Sequence, residues 1–289
     1  MKQLLLISLC LSVGHLFSQN LVLNPSFEDY FDCPKGISFF HRNVKNWTIP
    51  NNGTTDYYNS CSEKTGFDNF MGFQTPKTGS GYAGIYVYSK GNYKEYIQGK
   101  LSITLERDKI YNITCYVSLS EKSSHAIADF QMLFTTVNLT SYSSDYINLE
   151  PLINPMTLAK SIAFTTDDFI IDSTDWVKLT THYKASGFEN YFTLGNFDSN
   201  SKLEKIKVKS QKGKPSSYYY VDDISIESIE KIKPIEIPLV KEEDTGFESD
   251  KIYVFDDMLF DFDEAILLTE LKVQLDNLSE YLKNHPKIT

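Results

Sequence analysis

The chain has 289 residues, 41% of them hydrophobic, and a formal net charge of -10, which allows a sizeable core in one large or two smaller domains. The charge is uneven, because residues 230–289 hold 15 acidic and 7 basic side chains, a balance of -8, leaving -2 for the remainder. Without a basic field on the larger part, nucleic-acid binding is disfavoured, since phosphate contacts need clustered Lys and Arg.

Lys2 precedes an apolar run at residues 4–13, followed by Gly14, Ser18 and Gln19. That is the layout of a secretory signal peptide, assigned to residues 1–19. The run falls short of the roughly 20 residues that span a bilayer, so no transmembrane helix is expected. Leu9 stands where a lipoprotein signal needs a small residue before Cys10, so no lipid anchor is expected either. The mature chain is then exported, to the periplasm or to the outer membrane and cell surface. Of the 4 cysteines, Cys10 leaves with the signal. Export permits disulfides, and Cys33 and Cys61 both lie in loop-like sequence, so they are expected to pair. Cys115 alternates in phase with Tyr111, Ile113 and Val117, which reads as a buried free thiol.

A short apolar stretch at residues 20–23 stops at Asn24-Pro25 and reads as a first strand. Residues 29–74 form a long loop region rich in Asn, Gly, Ser and aromatics, and a loop of that length is functional or internally stapled. Strands are expected at 81–88, 95–105, 110–119, 126–135, 161–164, 176–183, 191–197 and 218–226. No sustained helical period precedes residue 230, so the pattern predicts an all-β sandwich or barrel. In the last strand Tyr218, Tyr220, Ile224 and Ile226 share one phase. Asp222 breaks it, and a carboxylate there needs hydrogen bonds, a counter-charge or a cation.

Residues 230–250 combine Pro234 and Pro238 with the acidic run Glu242-Glu243-Asp244, the composition of a linker. A strand and a helix follow in residues 251–289, with Leu268, Leu271, Leu275, Leu278 and Leu282 recurring at helical spacing before His285-Pro286.

Catalytic constellations find little support. His41, His125 and His182 are far apart and no nucleophile elbow is present. Asp167, Asp168 and Asp172 form an acidic stretch that reads as a solvated loop. Aromatics are the stronger lead, with 19 Tyr and 19 Phe. Trp47, Tyr57 and Tyr58 offer an apolar face with a polar edge and are the candidate ligand-binding residues, suiting a glycan or a surface protein; the alternative is that they pack the sandwich.

The opening Asn24-Pro25-Ser26-Phe27-Glu28 and the closing Val221-Asp222-Asp223-Ile224-Ser225-Ile226 resemble the two ends of jelly-roll, carbohydrate-binding-module-like domains. The stretches at 53–61, 82–85, 95–98, 116–119 and 194–197 resemble the N-terminal domain of Bacteroidetes surface proteins that carry an outer-membrane protein A (OmpA) type domain. Leu259-Phe260-Asp261-Phe262-Asp263 and residues 281–289 resemble the start of that peptidoglycan-binding OmpA-like domain, of which a third is present. The resemblance implies a jelly-roll β-sandwich over residues 20–229 and, where the OmpA-like domain is complete, peptidoglycan as a partner. It also implies a structural calcium shared by Glu28 and Asp222, with Asp223 a weaker third; hard carboxylate oxygens suit that ion. The alternative is that Asp222 caps backbone donors or pairs with a lysine. The expected function is therefore non-enzymatic: a recognition sandwich tethered to the cell envelope. A glycan-active or purely structural secreted protein is the second reading.

Overall fold

The computed structural model describes residues 19–153, 158–166, 168–208 and 215–229, together with Ser279 and Lys283. The chain divides into two compact units, Met1–Lys231 and Ile232–Thr289. In the second unit Ser279 and Lys283 are helical and exposed. The expected linker, the strand at 252–263 and the leucine stripe lie outside the described residues, as does the signal segment through residue 18.

In chain order the first unit has a four-residue helix α1 (Phe40–Asn43) and strands β1 (Trp47–Thr48), β2 (Asp56–Asn59), β3 (Asp68–Asn69), β4 (Gly72–Phe73), β5 (Gly81–Tyr88), β6 (Ile97–Lys100) and β7 (Ile110–Leu119). The remaining strands are β8 (His125–Ile127), β9 (Asp129–Thr135), β10 (Ala159–Thr165), β11 (Val177–Lys184), β12 (Tyr191–Gly195), β13 (Lys205–Lys207) and β14 (Ser217–Ser228). Two five-stranded sheets, ordered β1-β6-β12-β9-β10 and β11-β7-β14-β5-β2, form a jelly-roll β-sandwich in which neighbouring strands run antiparallel. The cause is visible in β7, where Tyr111, Ile113, Cys115 and Val117 alternate toward the intersheet core and meet Leu179, Phe134, Phe192 and Val221 from other strands. Cys115 is a buried free thiol in that core, and burial pushes it up from its ordinary value.

The single phase read through residues 218–226 is corrected by the structure. Tyr218 and Tyr220 pack on the outer face of their sheet with Tyr58 and Tyr82, whereas Ile224 and Ile226 join Tyr219 and Val221 between the sheets. The register of β14 against β7 shifts between Asp222 and Ser225, and Asp223 takes φ 51°. The extra residue of this bulge swaps the faces of everything beyond it.

Both outer faces are roofed by loops. Phe67, Met71 and Trp176 cover the tyrosine face, and Leu139, Ile147, Leu149 and Leu152 cover Tyr96, Leu133 and Phe197 on the other sheet. The long region 29–74 is thus more structured than its composition implies. It contributes β2, which pairs with β5 through Tyr58↔Tyr82 and Asp56↔Gly84. Gly84 is required at that crossing, because a Cβ there would lie 2.1 Å from Tyr218 Oη.

The two ends of the domain are stitched together. Leu21 N donates to Ile226 O at 2.9 Å, Ser102 N donates to Leu21 O at 2.8 Å, and Val22 bridges to Leu101 in the other sheet. The Asn20 amide donates to Ile224 O and accepts from Ile226 N, each at 3.0 Å. Among the described residues no helix is long and apolar enough to cross a membrane.

Candidate functional site

Trp47, Tyr57 and Tyr58 are the three aromatics that the sequence offers as ligand contacts, and their surroundings are those of packing residues. Trp47 is 2% exposed; its ring meets Phe27 and Phe192 at centroid distances of 4.9 and 5.4 Å, and its Nε1 donates to Asn24 O at 2.9 Å. Tyr57 is fully buried and donates to Phe27 O at 2.8 Å. Tyr58 is also fully buried, stacked on Tyr82 at 5.1 Å, with its hydroxyl 2.9 Å from that of Tyr218. A side chain enclosed on both faces has no surface left to stack on a ligand. Their period in sequence marks aromatic content but not which face the strand turns to the core.

The accessible aromatics lie just outside these. An open cleft of about 400 Å³ runs along the β1 edge, with Trp47 as its floor. One wall is Phe31, 67% exposed, its ring capped by Lys45 Nζ at 5.4 Å; half-buried Tyr191 also lines the cleft, and Asn46 and Asn138 add amide groups. The wall is held in place because Phe31 N donates to Asn43 O at 2.7 Å while the Asn24 amide donates to Asp29 O and Lys45 O at 2.8 and 2.9 Å. Asn24 reaches all of these from a left-handed conformation, φ 56°, which Asn tolerates better than most residues.

A second cleft of about 390 Å³ adjoins the first and shares His41 with it. Its rim is built by Asn52, which donates to Tyr142 O at 2.8 Å, and by Ser141, whose N–H donates to Pro50 O at 2.6 Å. Tyr142 stands 90% exposed above it. Burial, and then the neighbouring Arg42 charge, lower the His41 pKa, so the imidazole is neutral near pH 7 with one donor and one acceptor. Among the described residues neither cleft is lined by an Asp or Glu. Phe31 and Tyr142 carry no periodic signal, being loop residues, so their exposure could not be read from the sequence.

The disulfide lies near this wall. Cys33 and Cys61 are bonded, with Cα atoms 5.9 Å apart. Ser62 Oγ also donates to Pro34 O at 2.7 Å, so the segment at residues 33–34 is held by both a covalent and a polar tie.

The carboxylates Glu28 and Asp222 reach the loop at residues 77–81 directly, and Asp223 is linked to it through Ser26. Glu28 Oε1 accepts from Ser80 N and Gly81 N at 2.7 and 2.8 Å. Asp222 Oδ2 accepts from Lys77 N and Thr78 N at 2.8 and 3.2 Å, and Oδ1 accepts from Asp223 N at 2.7 Å. Asp223 Oδ1 accepts from Ser26 Oγ, which in turn accepts from Thr78 Oγ1. Burial pushes Asp222 up to about 8 against the pull of its three N–H donors. Among the described residues no three His, Cys, Asp or Glu side chains are grouped to hold a metal ion. Asp222 is thus a cap for backbone donors, and its occupied lone pairs suit a cation less well than a free carboxylate would.

No protein-family model matches the chain, and no curated protein matches it. Among solved structures the chain is similar to the CBM22-1 xylan-binding domain from Paenibacillus barcinonensis Xyn10C, with TM-score 0.42, 12% identity, and coverage of 74% of this chain and 97% of that one. It is also similar to the N-terminal CBM22-1-GH10 modules of Clostridium thermocellum xylanase 10B, with TM-score 0.40 and 11% identity, covering 73% of this chain and 29% of that one. A third similar structure is the K2 cleaved adhesin domain of Lys-gingipain, with TM-score 0.33, 9% identity, and coverage of 70% and 95%.

Proposed function

We propose that the sandwich is a non-enzymatic glycan-recognition domain that binds along the β1 edge. The observation that carries this reading is the pair of adjoining clefts in which exposed Phe31 and Tyr142 rings stand beside amide groups and a neutral imidazole. Aromatic faces take the C–H side of a sugar ring, while Asn and His satisfy its hydroxyls. Among the described residues the cleft linings hold no Asp or Glu, whereas glycoside hydrolysis uses a carboxylate pair. In titrations of the purified chain against a glycan panel, Phe31→Ala and Tyr142→Ala are each expected to weaken binding about 10-fold, the size of one lost stacking contact. Sugar release from the panel, or binding untouched by both substitutions, overturns the reading. In the same reading the domain is exported to the cell envelope, and residues 251–289 begin an OmpA-like domain that holds it to peptidoglycan when complete.

We also propose a structural calcium beside Glu28 and Asp223, supported by the hydrogen bonds of Glu28 to the 77–81 loop and by the link from Asp223 through Ser26 to Thr78. Excess calcium added to chelator-treated protein is expected to raise Tm, by preferential binding to the folded state. An unchanged Tm overturns the calcium proposal and leaves the backbone N–H groups and the Ser26 hydroxyl as the partners of these carboxylates.

A further inference from the structure

Lys94 is fully buried, and so is Asn196. Lys94 Nζ donates one hydrogen bond, to Asn196 Oδ1 at 2.6 Å, and among the described residues it forms no ion pair. An ammonium left in that position carries a large desolvation penalty. We propose that Lys94 and Asn196 close an intramolecular amide bond, joining the segment that leads into β6 to the residue that follows β12.

The surroundings fit that chemistry. The Asn196 amide is fixed on all sides: Oδ1 also accepts from Asp198 N at 3.1 Å, and Nδ2 donates to Asp129 O at 3.3 Å. The Asp198 N–H on Oδ1 draws electron density from the amide carbon, the electrophile of the step. Burial lowers the Lys94 amine to about 7, against the opposing charges of Asp198 and Asp129 and with help from Lys205, so a neutral nucleophile is accessible near neutral pH. Asp129 and Asp198 are tied to one another by Gln131 Nε2, which donates to both carboxylates at 3.2 and 3.1 Å. Burial, then the Asp198 charge, raise Asp129, which favours its protonated form.

In the step, the Nζ lone pair forms a bond to Asn196 Cγ and the Cγ–Nδ2 bond breaks. Asp129 gives a proton to the departing nitrogen and recovers one from Nζ. Ammonia leaves, nothing is oxidised or reduced, and the buried amine becomes an uncharged amide.

Peptide mapping of the purified full chain tests this directly. Trypsin is blocked at an acylated Lys94, so the expected product is a branched peptide joining residues 91–100 to residues 185–202, about 17 Da lighter than its two parts. Locating the loss matters, because an N-terminal glutamine sheds the same mass on cyclising. Lys94→Met and Asn196→Ala are each expected to abolish the branched peptide. Recovery of residues 91–94 and 185–202 as free peptides from the wild-type protein overturns the proposal, and this readout needs no variant to fold.

Discussion

Stability of the sandwich is expected to fall, not rise, as pH increases from mildly acidic to neutral, because buried Asp222 and Glu95 are both pushed up, to about 8 and about 7. Glu95 is 1% exposed; its carboxylate accepts from Thr54 N at 3.1 Å, Thr54 Oγ1 at 2.8 Å, Tyr86 N at 2.9 Å and the Tyr93 hydroxyl. Burial, followed by the charge of Asp56, nevertheless raises it from an ordinary 4.5 to about 7. Between those two values the folded protein holds a proton that the unfolded chain has released, so each rise in pH favours unfolding, by a total on the order of 3 kcal/mol. Asp56 is raised for the same first reason, burial, and acts with the same sign. Its Oδ2 accepts from Tyr218 Oη at 2.6 Å and its Oδ1 from Ser38 N at 2.7 Å. Urea midpoints measured from pH about 4.5 to about 7.5 should decline for the wild type, and the difference from Glu95→Gln isolates this residue. A variant with the same slope as the wild type removes Glu95 from the account.

Removing the Cys33–Cys61 disulfide is expected to cost about 3–4 kcal/mol, the loop-closure entropy of a cross-link across 28 residues. The enclosed segment carries α1, β1 and β2, and with them His41 and the floor of the cleft. Substituting both cysteines by serine should therefore lower the urea midpoint and weaken glycan binding together, because the Phe31 wall depends on Asn43 within the closed loop. A doubly substituted protein with an unchanged midpoint shows that Ser62 and the packed aromatics hold the segment without the covalent tie.

Much of the fold is legible in the sequence because the strands with strict alternation fold as written. Residues 81–88 and 110–119 form β5 and β7 without change, and Cys115 points where its phase sends it. The misread parts have physical causes. A bulge at Asp222 and Asp223 reverses the faces of β14, and such a register shift leaves only a φ-tolerant residue as its sequence trace. The strand β2 is hidden in a polar, aromatic run because Tyr57 faces the intersheet core while Tyr58 is roofed on the outer face instead of facing water. The candidate site was less legible: loop aromatics such as Phe31 and Tyr142 owe their exposure to distant chain segments, which no local pattern reports.

The stitching of Asn20 and Leu21 to Ile224 and Ile226 sets the order in which this domain can assemble. β14 lies in the middle of its sheet, between β7 and β5, so that sheet has a vacant centre until residues 217–228 are available. A chain emerging from its N-terminus first must therefore wait for nearly its whole length before either its first segment or its second sheet can settle. Contacts of such long sequence separation make folding slow.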